Sequence, residues 1–228
     1  MKTTDKYVLF YTEVFSQWHP SNFEVGGKKF CTAEQFMMYF KALTFGDQEI
    51  ADKILATNSP REQKKLGRAV KGFDAVKWNA IAKEVVFKGN RAKFQQNPEM
   101  FEQLMATGHK ELVEASPYDT IWGIGFDENA PEALDKSTWN GTNWLGEVLT
   151  KLRDVLRREQ TIQNIVKHGE AELEKFARDY PNDIGRLYES YKKLKTQSWS
   201  EDFLRGYLGA ITDLIIIKKG HWGDSFVK

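Results

Sequence analysis

The chain has 228 residues, 41% hydrophobic and 13% aromatic, which allows one large packed domain or one domain with an appendage. Its 33 Lys and Arg against 32 Asp and Glu leave a net charge of +1, so composition gives no push toward nucleic acid beyond local basic patches. The single cysteine, Cys31, excludes an internal disulfide framework and any cysteine-based zinc site, which fits a reducing compartment.

The first residues carry no long apolar run behind their lysines, and the longest apolar run near the other end, Leu214 to Ile217, is far short of a membrane span. The expected setting is the cytoplasm. Tyr7 to Thr12 is β-branched and aromatic and predicts a strand; Phe23 to Phe30 predicts a hairpin around Gly26-Gly27. Thr32 and Gln35 have capping-box spacing, so a helix is expected from Ala33. Helices are also expected over Asp47 to Ala56, from Ser59-Pro60 to near Gly67, from a cap at Asp74 to about Gln96, and from Pro98 to near Gly108. Glu111 to Ala115 predicts a strand. Ile121 to Phe126, with two glycines, reads as a strand end or a tight loop. Thr142 or Asn143 caps a helix to about Glu159.

Beyond Thr161 the texture is helical throughout: Ile162 to Tyr180, Ile184 to Thr196 and Ser200 to Lys219. A domain over 1–159 and a helical extension over 160–228 are expected. Helices this few bury too little to stand alone, so docking on the first domain or on a partner chain is expected.

Four clusters carry chemistry. Glu34, in the first turn of its helix, is favoured as a carboxylate by the helix dipole. Lys41 follows seven positions on, nearly two turns, so both heads point to one side, roughly 10 Å apart along the axis at about 1.5 Å per residue. A base and an amine across a gap suit one sugar-sized substrate; a plain solvated helix face is the alternative. Gly67-Arg68 is either a glycine cap with a basic helix end or an arginine fork for phosphate. Glu114 to Gly125 packs carboxylates, Trp122 and two glycines into a turn, either structural or a place where backbone and an aromatic face meet a ligand. Trp139 to Gly146 is a helix cap or a source of backbone N–H groups for phosphate, and it matches neither the Walker nor the dinucleotide pattern. The four histidines lack metal-ligand spacing, and neither a metal nor a cofactor is expected.

The order of these pieces resembles the YbiA-like NADAR family over residues 7 to about 158. The resemblance runs through Ser21-Asn22-Phe23, Thr32 to Phe36 with Lys41, Gly67-Arg68, Trp78, and Lys93-Phe94. It continues through Leu112-Val113-Glu114, Asp119, Trp122-Gly123 and Gly125, then Gly141, Asn143, Leu145-Gly146, Leu149 and Arg153. The sequence departs at Gln35, where many members carry His, and at Met38 and Phe40, where relatives often carry polar residues; these changes bear on the substrate more than on the reaction.

The resemblance implies an α+β fold, mainly helical around a small β-sheet, with the all-α extension added. It implies an N-glycosidase that hydrolyses an N-glycosidic bond to ribose in a phosphorylated nucleotide-like substrate. ADP-ribose on guanine in nucleic acid and a riboflavin-pathway intermediate are the expected kinds; a non-catalytic ADP-ribose or nucleotide-derivative binding module is the alternative. Glu34, Lys41 and Asp119 are the expected catalytic residues. Glu34 stabilises an oxocarbenium-like sugar or activates water. Lys41 binds phosphate or attacks C1′ to form a Schiff base. Asp119 orients ribose hydroxyls or relays a proton. Asn22, Gln35, Arg68, Trp122, Gly123 and Asn143 are the expected substrate-binding positions, with Trp122 stacking the base and Arg68 and the Asn143 backbone holding phosphate.

Overall fold

The computed structural model describes residues 1–168, 170–179, 181–197, 199–200, 202–204, 206–211 and 214. The chain divides into two compact units, Met1–Arg153 and Asp154–Lys228.

The first unit is α+β. Its main sheet has the order β1 (Lys2–Thr3), β2 (Tyr7–Phe10), β5 (Glu111–Glu114). Strand β1 runs antiparallel to β2, whereas β2 and β5 are parallel, with Tyr7 beside Glu111 and Phe10 beside Glu114. Val8, Leu9, Phe10, Leu112 and Val113 are all buried. A parallel pair cannot be closed by a hairpin, so everything between the strands is crossover. Both chains leave the sheet at the same end, and the segments that follow Phe10 and Glu114 emerge side by side. Strand β2 stops two residues short of the expected Thr12. The Glu13 carboxylate accepts the N–H groups of Tyr11 and Thr12, at 2.9 and 3.1 Å, and so removes them from the ladder.

The expected hairpin is present as β3 (Phe23–Val25) and β4 (Lys28–Phe30), turning on Gly26 and Gly27 at positive φ. The helices α1 (Ala33–Thr44), α2 (Gln48–Leu55), α3 (Pro60–Arg68), α4 (Ala75–Gln96) and α5 (Pro98–Ala106) follow. The side chains of Thr32, Asp47, Ser59 and Asp74 each accept an N–H from the first turn of α1, α2, α3 and α4 respectively. Helix α1 is the hub and packs on α2, α3 and α4. Two glycines permit the close approach. A Cβ on Gly67 of α3 would lie 2.0 Å from Met38 Sδ, and one on Gly89 of α4 would lie 2.5 Å from the Phe36 ring. Gly67 is therefore a packing position inside α3, which ends one residue later than expected, at Arg68.

The segment 121–126 forms no strand. It is a turn held by Ile124 N–H to Glu114 O (3.0 Å) and Gly125 N–H to Ser116 O (3.1 Å). Helix α6 (Trp144–His168) continues past the expected end near Glu159, since no glycine or proline lies between Glu159 and His168.

The described part of the second unit is helical. It holds α7 (Glu170–Asp179), a π-helical turn over Pro181–Gly185, and α8 (Arg186–Lys195), with further helical residues among 202–214. Ile184, Tyr188, Tyr191 and Ile211 form a small core of its own. The end of the expected Ser200 to Lys219 helix, from Ile215 on, lies outside the described residues.

Candidate active site

The parallel strands deliver two segments to one edge of the sheet, and α3 crosses in front of them. Together they enclose a cleft of about 730 Å³. Tyr11, Trp18 and His19 line it from the segment after β2, and Glu114, Ser116, Tyr118 and Asp119 from the end of β5 and its turn. Helix α3 contributes Arg61, Lys64, Lys65 and Arg68. These four sit at i, i+3, i+4 and i+7, so one helical face is wholly basic.

Glu34 is the buried acid of this region, with only 5% of its surface exposed. Its backbone N–H donates to Gln17 O at 2.9 Å, which fixes the start of α1 against the Tyr11–Pro20 segment. The Trp18 side chain donates a hydrogen bond to the carboxylate, while oxygen Oε1 has no hydrogen-bond partner. Burial pushes its pKa up to about 7; Lys64 opposes the rise and Asp119 adds to it. The sequence-based expectation of a simply ionised carboxylate is thereby corrected. A helix N-terminus favours a carboxylate by about 0.3–1 kcal/mol. Desolvation outweighs it, leaving a net bias of about 3 kcal/mol toward the acid at 1.36 kcal/mol per pH unit. Near neutrality Glu34 exists in both forms.

Lys41 is half-buried, with Nζ 4.0 Å from the centroid of the Phe73 ring and 6.0 Å from that of Trp78. Burial lowers its pKa; Glu34 opposes this and the Arg68 charge assists it. Helix α1 thus brings Glu34 and Lys41 into electrostatic reach of each other, as their spacing implies.

Asp119 Oδ1 accepts the N–H groups of Ile121 and Trp122, at 3.0 and 2.8 Å. Its Oδ2 lies 3.6 Å from Lys64 Nζ. Beside it, Glu114 has oxygen Oε2 shut off from solvent and without a hydrogen-bond partner. Burial, reinforced by the Asp119 charge, raises its pKa to about 8.

The other expected binding residues separate. Arg68 lines the cleft. Asn22 and Gln35 line a second hollow of about 610 Å³, and the Gln35 amide is consumed by protein groups. Its Nε2 donates to the carbonyls of Ile54, Leu55 and Thr57, and its Oε1 accepts from Cys31 N. Trp122 meets Trp144 edge to face at 5.6 Å and is not among the residues lining the cleft. Gly123 sits where the turn closes on itself; a Cβ there would lie 2.9 Å from the carbonyls of Glu114 and Asp119. Asn143, at φ 52, clamps β5 from the side: Nδ2 donates to Leu112 O and Oδ1 accepts from Glu114 N, both at 3.0 Å. That clamp sets the height of Glu114.

Sequence reasoning gave no role to Lys64 and Trp18, and took Glu114 only as part of an acidic turn that is structural or meets a ligand. The basic face of α3 was available in its spacing. The place of Trp18 depended on a loop–helix contact with no local signal. Two further buried polar residues stand behind the cleft. Lys93 Nζ donates to Ser16 O at 2.9 Å, and Asn90 Nδ2 donates to Gln17 Oε1 at 2.7 Å. They tie the Trp18 segment to α4. Helix α4 buries Trp78, Ala82 and Phe94 as an apolar helical stripe would, and turns Asn90 and Lys93 inward with Val86 while Ile81 and Val85 stay half-buried.

Among the described residues no cluster of His, Cys, Asp and Glu is arranged to hold a metal ion, and no helix is long and apolar enough to cross a membrane.

An α+β domain with buried carboxylates behind a cationic cleft wall now stands beside its relatives. Residues 9–157 match the NADAR domain, and the chain belongs to the NADAR family. It is 42% identical over 164 residues to an N-glycosidase of Acanthamoeba polyphaga mimivirus, covering 66% of this chain and 96% of that one. It is 30% identical over 161 residues to the N-glycosidase YbiA of Escherichia coli strain K12, covering 68% and 92%. The NMR structure of E. coli YbiA aligns with a TM-score of 0.57 at 28% identity, over 70% of this chain and 89% of that chain. A riboflavin biosynthesis protein of Vibrio vulnificus is 30% identical over 152 residues, 67% of this chain and 37% of that one. The chain is an N-glycosidase.

Proposed function

We propose that the chain hydrolyses the N-glycosidic bond between a base and the ribose of a phosphorylated, nucleotide-like substrate. ADP-ribose on guanine in nucleic acid and a riboflavin-pathway intermediate are the two kinds it fits. The observation that carries this is the buried Glu34 carboxyl behind a cleft walled by four cations of α3. Arg61 and Arg68 have no carboxylate partner among the described residues, which leaves their guanidinium forks for phosphate oxygens. The cleft volume suits one nucleotide. That the Vibrio relative is a riboflavin biosynthesis protein supports the second kind of substrate.

As the base leaves, positive charge develops at C1′ and the ring oxygen. Ionised Glu34 lies in a water-poor position, where a carboxylate stabilises that charge more than it would in water. Lys41, whose pKa burial lowers, gives up its proton and attacks C1′, forming a Schiff base with the opened ribose, which water then releases. Asp119, held by two backbone N–H groups, orients the ribose hydroxyls or relays a proton.

The test is incubation with ADP-ribosylated guanine DNA, a riboflavin-pathway intermediate and NAD, followed by mass spectrometry of the released base. Multiple-turnover release from a phosphorylated substrate is expected. Removing the phosphate, or Arg68→Ala, should each raise KM roughly 10- to 100-fold, the value of one charged hydrogen bond. Tight binding with no released base would instead favour the binding-module reading.

A further inference from the structure

From its place in the wall of the cleft we infer that Glu114 is the proton donor to the leaving base. This rests on the function proposed above. Glu114 ends β5, beside Phe10 of β2, where the parallel pair opens into the cleft, and it is one of the residues lining that cleft. Its main chain is fixed on both sides: Asn143 Oδ1 accepts its N–H, and its carbonyl accepts from Ile124 N. Its carboxyl is not fixed. Oε2 is buried and unpartnered, an arrangement that costs about 1–3 kcal/mol unless a partner arrives.

The charged groups facing it are Glu34 from α1, Asp119 from its own turn and Lys64 from α3. Two negative neighbours and burial outweigh one lysine, so the group keeps its proton to about pH 8. Asp119 is a poorer donor, since its oxygens already accept two backbone N–H groups and face the Lys64 ammonium. Glu34 and Glu114 thus divide the work between base and acid by their surroundings.

The step balances. The C1′–N bond breaks and its electron pair goes to the base nitrogen, which takes the Glu114 proton. The nucleophile, amine or water, bonds to C1′ and gives its proton to Glu34. Glu34 then releases its proton to solvent, and solvent reprotonates Glu114. Over the cycle one water is consumed.

Glu114→Gln keeps the shape and neutrality of the acid but has no proton to give. Its kcat should fall on the order of 10²- to 10⁴-fold with little change in KM. The parent enzyme's kcat/KM should decline above about pH 8, and in the variant that decline should be absent. With a ribosyl phosphate bearing a nitrophenolate leaving group, which departs without a proton, parent and variant should run at similar rates. An equal loss on both substrates, or an unchanged alkaline limb, would overturn the assignment. If the Gln variant fails to fold, as read by circular dichroism, Glu114→Ala with added formate decides. Recovery supports proton donation, and no recovery overturns it. If the parent enzyme releases base while Glu114→Gln matches it, only the role of Glu114 falls. If the parent enzyme releases none, the proposed function falls with it.

Discussion

Glu34→Gln should lower turnover 100-fold or more while leaving the domain folded. A single preorganised charge in a site supplies about 2.7–4 kcal/mol, and glutamine keeps the shape without the charge. The parent enzyme should gain activity as pH rises through about 7, where Glu34 ionises, and the variant should lose that acid limb. Stability should move the other way. The folded pKa lies above the ordinary 4.5, so between about pH 4.5 and 7 the folded state holds more proton than the unfolded one. Stability contributed by this group is therefore present at low pH and lost as pH rises across that window. Glu34→Gln removes that slope, and at pH 8 the variant should melt no lower than the parent. Thermal melts at pH 5 and 8, with single-turnover rates, check both halves. Near-parental rates would remove Glu34 from the chemistry.

The second large effect is at Lys41. Borohydride added during turnover should trap a ribosyl adduct, and peptide mass spectrometry should find it on this residue. Lys41→Arg keeps the positive charge over Phe73 but cannot form that adduct. Its rate should fall about 1000-fold or more, as loss of a nucleophile does. An Arg variant that keeps most activity, together with no trapped adduct, would make Lys41 a phosphate anchor.

Local signals in the sequence located the helix starts well. Thr32, Ser59 and Asp74 each cap a helix because one side chain and one following N–H are enough to define that bond. The hairpin at Gly26-Gly27 was legible for the same reason. The pairing of β2 with β5 was not, since their residues lie about a hundred positions apart and no short-range signal sets parallel register. The site divides along the same line. Glu34 and Lys41 share one helix, so their spacing placed them together. Gln35 and Asn143 are polar side chains at motif positions, and sequence does not distinguish a side chain that touches substrate from one that ties backbone carbonyls. Here Gln35 binds the end of α2 and Asn143 binds β5. The paired roles of Glu34 and Glu114 depend on burial, which only the assembled fold supplies.

Lys93 fills core space that a methionine would fill at lower cost in desolvation; its ammonium donates to the Ser16 carbonyl and lies 5.3 Å from the centroid of the Phe94 ring. Because its bond holds Ser16, which lines the cleft with Trp18, replacing Lys93 should change rate more than melting temperature. In a library of α4 variants scored for growth or colour, positions 90 and 93 would therefore group with the cleft residues, although neither lines the cleft. Lys93→Met would be recovered as a well-folded, slow enzyme. Restoring its speed would select second changes in the Val14–Trp18 segment, so the back of one helix and the front of the active site would drift through sequence space as a single trait.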